Sequence, residues 1–598
     1  MPATSSTPSA AGGPPALRWH RAVWVLSTLT LLGLWLLAFT ARDPFFLAPF
    51  RESQTAISAD YLLREPGGFP NYQLPVLGAP WNVPFEFPLF QQLTAWLGAA
   101  GISIAQAGRI ISLLCWLGCA GIIWAGLRDL GVDGAWRITL LALVAVTPLH
   151  GVYATAHMIE SLALLGALLQ VWAFFRFLRT DAPSWLWFSV ALGAGTLVAL
   201  VKITTWMPAA FITGLLALGD LRKNWPQKRW NTFQAGRWLL VAGLLLLPLA
   251  AGQWWSKWCA DIRSGNALSE SFMDSAKLNN WVFGTLTMRL SVKDWVILLA
   301  KHLVLLFGPM GAVVPLLGIS AWRQAGGWKN PLCRAAAILL AGYAVHAVLL
   351  FRLHLRHDYY LFGSGVFLAG ALLLPLAALA AVRQTRWHSF LAPVLALSMA
   401  LGGFLYQAAK RGYRDLAAEA AVTALAQVKE PGALLTLGMD WSPRVPFATG
   451  RKALMVPEDR RSEAALPAAL AANRNTRFAA MVVLGNSYDR LAGSLARQIG
   501  LDPEARVPFW SNGYLLLPPG KAGAWTGPAL TSHPVLLEIR QKIPPQKSLP
   551  NGIVYQRLPF SGKGDGWFEI GAKRGQDLFY YRASDHSLIR LRGYFVEP

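Results

Sequence analysis

The sequence predicts a mostly helical, polytopic membrane protein that ends in a soluble α/β domain. The chain has 598 residues, of which 54% are hydrophobic and only 14% charged, whereas soluble globular proteins carry roughly 25% charged residues. About eleven apolar stretches follow one another over residues 18–406, many of them near the ~20 residues that cross a bilayer as a helix. Beyond residue 406, buried-strand patterns alternate with helical patterns, which is typical of an α/β layer arrangement.

The N-terminal segment 1–17 is rich in Ser, Pro, Ala and Gly, and we expect it to form a disordered cytoplasmic tail. Arg18 and Arg21 then precede an apolar stretch that runs to about Thr40. This stretch is long enough to span a membrane, and no convincing small-residue cleavage site follows it. The prediction is therefore an uncleaved first transmembrane helix with its N-terminus in the cytoplasm.

The later spans are predicted from apolar runs, and their orientation from the basic residues between them. The runs lie near 104–127, 137–150, 159–178, 184–201, 203–219, 238–255, 294–317, 335–351, 360–382 and 388–406. Basic residues such as Arg128 and Arg137 concentrate in alternate connections, as in cytoplasmic loops. With an odd number of spans, segments 41–103, 256–293 and 407–598 are expected on the outer face of the membrane.

The charge and cysteine content argue against nucleic-acid binding and against a structural zinc site. The formal net charge is +23, but much of this excess fits cytoplasmic loops and no recognition motif accompanies it, so no nucleic-acid partner is expected. The four cysteines form no CxxC pair and no dense Cys/His cluster, which argues against structural zinc. Cys115 and Cys119 lie one helical turn apart in an apolar run and are expected to be buried small hydrophobes.

The tail 407–598 is expected to be a separate soluble domain on the outer face. Strands are predicted at 433–439, 478–484 and 513–518, helices near 412–427, 460–473 and 488–499, and short aromatic strands at 566–570 and 578–582. No catalytic signature is present, since Gly485-Asn486-Ser487 is a turn and not a nucleophile elbow.

The first outer loop carries two acidic candidates for chemistry. Glu52 follows Arg51 directly after the first span, and a charge at that depth needs a partner or a polar cavity. The alternative for Glu52 is a solvated side chain at the membrane interface. Glu86 lies in a stretch rich in proline and aromatic residues; an aromatic belt would explain Trp81 but not this carboxylate.

The next two outer turns add a histidine, an acid and a lysine. His157 and Glu160 are three residues apart and fit one face of a helix. The alternative for Glu160 is a simple helix cap. Lys202 interrupts an otherwise continuous apolar run, where it suits an anionic headgroup or phosphate; the alternative is snorkelling to the interface.

The last outer turn is the densest polar and aromatic cluster among the spans. Its basic residues run against the positive-inside trend, which indicates a specific anionic partner. Arginine holds phosphate bidentately and tyrosine adds a hydroxyl donor; an interfacial anchor is the alternative. The candidates here are Arg352, Arg356, His357, Tyr359 and Tyr360.

In their order along the chain, these residues resemble the lipid-linked-sugar glycosyltransferases of the GT-C fold. The sequence is similar to family 39-like members, the bacterial group that includes protein O-mannosyltransferases and lipid A aminoarabinose transferases. Residues 20–406 carry the resemblance, and the tail is similar in position to the periplasmic domain of many members. The expected architecture is therefore a GT-C-like membrane domain followed by an α/β domain.

Five short motifs carry this resemblance. In the acidic motif after the first span, Arg51 replaces the first acid of the family and only Glu52 matches. Glu160 matches the second family carboxylate, and Lys202 matches a lysine after a later span. The other two matches are Glu86-Phe87-Pro88-Leu89, similar to a Pro-Leu element, and His357-Asp358-Tyr359-Tyr360, similar to a His-x-Tyr-Tyr element.

The resemblance implies sugar transfer from a polyprenyl-phosphate donor to a glycan, lipid or protein acceptor, with inversion, on the periplasmic face of a bacterial inner membrane. Glu52 would accept the proton of the acceptor, and Glu160 with His157 would position the acceptor or assist the base. The departing lipid phosphate would be stabilised by Lys202, Arg352, Arg356 and Tyr359. The remaining substrate-binding candidates are Arg51, Glu86, His357 and Tyr360. Some family members use a divalent cation and others none, and the sequence favours neither.

Two other functions remain open from the sequence. An O-antigen ligase-type transferase would rely on basic residues in a long outer loop and would not need the carboxylate after the first span. A flippase or transporter of lipid-linked sugars would place charges near the bilayer midplane, often in repeated broken helices. The notable charges here lie at span ends and no repeated half is found, which favours an enzyme.

Overall fold

The chain folds into two compact units, Met1–Gly412 and Tyr413–Pro598. The structure, a computed structural model, describes residues 15–66, 68–179, 184–224, 232–273, 275–383, 386–412, 415–457, 460–510 and 512–521, with strands at 540–542, 554–557, 567–571, 578–582 and 587–591. The predicted disordered tail, 1–17, lies almost wholly outside these residues. The predicted domain boundary at 406/407 falls inside the last helix of the first unit, which ends at Gly412.

The first unit is almost entirely helical, as its composition predicts. Its helices are α1 (Pro15–Phe39), α2 (Pro49–Arg64), α3 (Leu89–Ala99), α4 (Ile104–Asp129), α5 (Gly134–Val146), α6 (Pro148–Tyr153), α7 (Glu160–Leu178), α8 (Trp185–Asn224), α9 (Thr232–Arg263), α10 (Ala267–Met273), α11 (Ser275–Phe283), α12 (Leu286–Leu290), α13 (Val292–Phe307), α14 (Val314–Gln324), α15 (Pro331–Leu349), α16 (Phe351–Arg356), α17 (Phe362–Val382) and α18 (Arg386–Gly412). Short 3-10 turns at Gly308–Ala312, Gly327–Lys329 and Tyr359–Leu361 connect some of them.

Nine helical segments in the described residues are long and apolar enough to cross a membrane. Their outward faces remain apolar: Leu36 in α1 and Leu239 in α9 are 67% and 74% exposed. A helix that is apolar all round fits a lipid surrounding, because its backbone hydrogen bonds are satisfied internally. The predicted polytopic membrane architecture is confirmed.

The longest helical segment, α8, is a hairpin of two helices. Lys202 has non-helical dihedral angles (φ −159°, ψ 88°) in its middle. Ala191 and Ala217 belong to one small cluster of buried residues, although a straight helix would separate them by roughly 40 Å. The chain therefore reverses at Lys202, and this segment supplies the two spans that the sequence predicts at 184–201 and 203–219.

The predicted span at 137–150 is shorter in the structure. Helix α5 ends at Val146, and Thr147 is extended (φ −50°, ψ 137°) before Pro148 opens α6. Proline disfavours helical geometry in the residue before it, which explains the break. The 13-residue α5 is shorter than the ~20 residues of a typical span, so the span count of eleven includes one short helix.

The second unit contains a mixed sheet with helices, in agreement with the predicted α/β arrangement. The strands are β1 (Ala433–Leu437), β2 (Ala453–Met455), β3 (Phe478–Leu484), β4 (Arg506–Trp510) and β5 (Gly513–Leu516), in the order β2-β1-β3-β5-β4. The helices are α19 (Leu416–Leu425), α20 (Arg444–Thr449), α21 (Arg460–Ala472) and α22 (Asp489–Gln498). Strand β1 pairs in parallel with β2 and β3, whereas β5 is antiparallel to its neighbours.

A second sheet of five antiparallel strands follows in sequence. Its strands are β6 (Arg540–Lys542), β7 (Val554–Arg557), β8 (Trp567–Gly571), β9 (Leu578–Arg582) and β10 (Ser587–Leu591), in the order β6-β10-β9-β8-β7. Strands β8 and β9 correspond to the two aromatic strands predicted from the sequence.

Candidate functional site

A partly buried ion pair joins the first outer helix to the loop that follows it. Helix α2 opens with Pro49 at a position where a missing backbone N–H costs nothing. Two residues later the Arg51 guanidinium donates to the Glu86 carboxylate, and it also donates to Gln54 Oε1 at 2.6 Å. The side chains of Arg51 and Glu86 are 18% and 13% exposed. This pair ties loop 65–88 to α2.

A second buried ion pair joins two membrane helices. Lys202 lies at the reversal in α8, and Glu160 is the first residue of α7. Lys202 Nζ lies 2.6 Å from Glu160 Oε1. Their side chains are 9% and 3% exposed, and charges buried this deeply persist only when they are paired.

Two tyrosines join the ion pairs into one site. Lys202 Nζ lies 5.6 Å and 4.7 Å from the ring centroids of Tyr359 and Tyr360, within cation–π range. The Arg51 guanidinium interacts electrostatically with Glu160 and with both tyrosines. We call these six residues the ion-pair cluster: Arg51, Glu86, Glu160, Lys202, Tyr359 and Tyr360. All six are among the site residues that the sequence predicts.

His357 borders the ion-pair cluster. Its ring stacks on Tyr359 with centroids 5.2 Å apart and meets Trp281 edge-on at 5.9 Å. Burial lowers the pKa of His357 to about 4, although Asp358 opposes this shift. The imidazole is therefore neutral at physiological pH and suits hydrogen bonding better than holding an anion by charge.

Asp358 anchors the turn that carries the two tyrosines, and sequence reasoning did not select it. Its carboxylate accepts hydrogen bonds from Tyr153 at 2.9 Å and from Tyr406, and it pairs with Lys410 at 2.7 Å. Burial by itself raises the pKa of Asp358, but Lys410 and the hydroxyl donors outweigh burial and hold that pKa below its usual range. The dense contacts fix the backbone directly before Tyr359.

Glu52 follows Arg51 in the chain, but its side chain makes its hydrogen bonds outside the ion-pair cluster. Oε2 accepts from the backbone N–H groups of Leu47 (3.0 Å) and Ala48 (2.9 Å), and Oε1 accepts from that of His157 (3.0 Å). The side chain is fully buried. Burial raises the pKa of Glu52, while the cation of Arg109 opposes the rise. In this position the carboxylate joins the start of α2 to the turn before α7.

The ring of His157 also lies away from the ion-pair cluster. It packs edge-on against Phe45 and Phe90, at centroid distances of 5.9 and 5.7 Å. Gly108 leaves room for it, since a Cβ there would lie 2.4 Å from the ring. Burial lowers the pKa of His157 to about 3, so its ring fills an aromatic pocket in the neutral form.

The two arginines of the last outer turn contact other elements. Arg352 donates to the Asn280 carbonyl at 3.2 Å, and its guanidinium lies 5.1 Å from the Trp281 ring centroid. Arg356 is exposed at the end of α16. Of the eleven predicted site residues, the structure brings six into the ion-pair cluster, and His357 adjoins them. Arg352 contacts Trp281, which meets His357 edge-on, and the charge of Arg356 acts on His357.

Several residues that hold the site were missed from sequence. Asn266 Nδ2 donates to the carbonyls of Leu77, Gly78 and Pro80 at 3.1–3.2 Å. Further donors to the same loop are Trp255, on the Phe85 carbonyl at 3.1 Å, and Arg263, on the Pro84 carbonyl at 2.6 Å. These side chains fix the backbone that leads into Glu86. Asn266 lies within the predicted outer loop 256–293, where no apolar pattern sets it apart.

Arg109 was missed because it lies within a predicted span. Only 2% of it is exposed, and its guanidinium donates to the backbone carbonyls of Ala38 and Pro44. These bonds join α4 to the end of α1. The positive charge of Arg109 also acts on the carboxylate of Glu52. A lone arginine in an apolar run was the signal that could have found it.

The described residues contain no group of three or more His, Cys, Asp or Glu side chains arranged to hold a metal ion.

Comparison with known proteins identifies the fold. No protein-family model matches the chain. No curated protein sequence matches it either. Among solved structures, ArnT from Cupriavidus metallidurans bound to undecaprenyl phosphate is similar at 13% identity and TM-score 0.55, over 83% of this chain and 98% of that one. The apo state of the same protein gives 14% identity and TM-score 0.53, over 82% and 97%. This likeness shows the GT-C fold, which the sequence predicted.

Proposed function

We propose that this chain is an integral membrane glycosyltransferase that transfers a sugar from a polyprenyl-phosphate donor to an acceptor of the cell envelope. The observation that carries the proposal is the convergence of Arg51, Glu86, Glu160 and Lys202 beside two tyrosines. They come from elements far apart in the chain. A buried site that combines cations with carboxylates suits the departure of a phosphate and the removal of a proton.

The cations and tyrosines are assigned to the lipid phosphate. When the bond between the sugar and the phosphate oxygen breaks, its electron pair stays on the phosphate, whose negative charge increases. Lys202 and Arg51 stabilise that charge, and the hydroxyl groups of Tyr359 and Tyr360 add donors. Arg352 and Arg356, outside the ion-pair cluster, are assigned to attracting the anionic headgroup as it approaches.

Glu86 is assigned as the base, in place of Glu52. A base must come within hydrogen-bond reach of the acceptor proton, and the carboxylate of Glu52 is fully buried and holds three backbone N–H groups. Glu86 belongs to the ion-pair cluster and is partly exposed. The acceptor oxygen or nitrogen attacks the anomeric carbon opposite the phosphate, its proton moves to Glu86, and the configuration inverts.

Glu160 and Glu52 receive supporting roles. Glu160 holds the Lys202 ammonium at 2.6 Å, which sets the position from which it meets the phosphate. Glu52 and His157 hold α2 against the turn before α7, so they position Arg51 indirectly. The acceptor is a glycan, lipid or protein on the periplasmic face of a bacterial inner membrane, where the sequence places the outer loops.

The proposal is tested in cells that produce the protein and in cells that lack it. Mass spectrometry of the envelope glycans should show one sugar modification that is lost without the protein and restored by the wild-type chain, but not by Lys202→Met. A lipid-linked sugar of the same mass should accumulate in the deficient cells. Identical glycan and lipid profiles would contradict the proposal.

A further inference from the structure

Both cations of the ion-pair cluster are already neutralised by carboxylates. Arg51 pairs with Glu86 and Lys202 pairs with Glu160, and none of these four side chains is more than 18% exposed. A phosphate that enters the cluster therefore meets no uncompensated positive charge among these four residues. It binds there only by displacing a carboxylate from its cation, because a buried phosphate that pairs with neither cation is strongly unfavourable.

The two pairs differ in how readily they open. Lys202 lies at the buried reversal within α8 and Glu160 opens α7; both side chains are at most 9% exposed, and the Tyr360 ring lies 4.7 Å from Nζ. Glu86 lies on the irregular loop 65–88 and is more exposed, as is Arg51. The guanidinium of Arg51 has five N–H donors in a planar fork that fits a phosphate bidentately. The Arg51–Glu86 pair is therefore the one that exchanges.

We infer that the donor phosphate replaces Glu86 on Arg51, so that Glu86 becomes available as a proton acceptor only when the donor is bound. This inference rests on the proposed function. It makes binding ordered, with the donor before the acceptor. It also keeps the base from activating water or an acceptor in the empty site, because the carboxylate then remains paired with Arg51.

The first test measures binding of undecaprenyl phosphate, in detergent micelles, to the purified full-length protein. Glu86→Gln removes the competing carboxylate and should bind this lipid about tenfold more tightly, the size of one charge-assisted hydrogen bond. Arg51→Gln should bind it more weakly, and Arg51→Gln with Glu86→Gln should lose the gain. The matched control is Asp60→Asn, which opens the 2.8 Å pair with Arg64 on the same helix and should not change affinity.

The second test takes its main readout from the wild-type protein and uses variants only to assign the band. An infrared difference spectrum of the wild-type protein with and without undecaprenyl phosphate should show a shifted carboxylate stretching band, because Glu86 changes partner. The band should be absent from Glu86→Gln and retained in Asp60→Asn. Failure of the wild-type protein to bind the lipid overturns the proposed function and the exchange together. Binding without a carboxylate shift, or with equal affinity in Glu86→Gln, overturns the exchange alone.

Discussion

Arg51 and Glu52 are neighbours in the chain, yet their side chains serve different parts of the structure. Arg51 donates to Glu86 in the ion-pair cluster, whereas Glu52 accepts three backbone hydrogen bonds, including one from His157. Successive residues on a helix point in directions that differ by about 100°. The rotation of α2 about its axis therefore decides which of the two charges meets a substrate.

Glu52→Gln should reduce stability more than catalysis. A glutamine offers one acceptor oxygen where the carboxylate uses two, so at least one buried N–H loses its partner at a cost of about 1–3 kcal/mol. We expect a lower unfolding temperature in detergent, with turnover per folded molecule within about threefold of wild type. Glu65→Gln, exposed just beyond α2, is the control. Unchanged stability together with abolished turnover would indicate that Glu52 is the base after all.

Gly108→Ala should destabilise the first unit through the His157 ring. A Cβ at Gly108 would lie 2.4 Å from that ring, whereas a Cβ at Gly121 on the same helix would meet nothing within 4 Å. Overpacking of this kind costs about 1–3 kcal/mol. Unfolding temperatures should therefore fall for Gly108→Ala and stay level or rise for Gly121→Ala. Equal effects of the two changes would mean that His157 moves aside freely.

Stability should fall on acidification because His157 is buried in its neutral form. Its pKa is lowered by burial to about 3, so the unfolded chain takes up a proton below pH 6.5 that the folded chain does not. The contribution of His157 to the free energy of unfolding is therefore fully present above pH 6.5. It falls between pH 6.5 and pH 3 by up to about 1.4 kcal/mol per pH unit. His157→Gln should flatten the dependence of unfolding temperature on pH between 6.5 and 4.5. An unchanged slope would contradict the neutral, buried assignment.

Asn266→Ala should reduce catalysis through the loop that carries Glu86. The side chain of Asn266 donates to three loop carbonyls, and a displacement of about 1 Å at a reacting group can lower turnover roughly 100-fold. We expect release of lipid phosphate to slow by at least roughly tenfold while donor binding persists. Ser264→Ala, an exposed neighbour, is the control. Equal rates in the two variants would show that the loop holds its shape without Asn266.

The sequence identifies much of the site because charge is conspicuous in apolar surroundings. Glu160 and Lys202 lie 42 positions apart, yet each lies at the boundary of an apolar run at the predicted outer face, and they meet at 2.6 Å. Charged side chains at the same depth of a membrane are stabilised mainly by pairing with one another. The strands β1 and β3 are likewise predictable, since each is a continuous apolar run.

The remainder depends on rotation and tertiary contact, which one sequence does not contain. The helical phase that buries Glu52 and turns Arg51 towards Glu86 is set by the packing of α2. The partners of Asp358 include Tyr406 and Lys410, about 50 residues away in a different helix. The three-residue strand β2 is too short to produce a periodic signal. For the same reasons, the backbone carbonyls that Arg109 and Asn266 contact became visible only in the structure.

The central claim is tested most directly by the release of undecaprenyl phosphate in liposomes that contain the purified full-length protein, an undecaprenyl-phosphate-linked sugar and an envelope acceptor extract. The wild-type protein should release the lipid phosphate only when acceptor is present. Lys202→Met should be at least about 100-fold slower, the usual cost of losing one group that stabilises developing charge, whereas Lys293→Met, exposed on α13, should match wild type. Near-normal release by Lys202→Met would contradict the account.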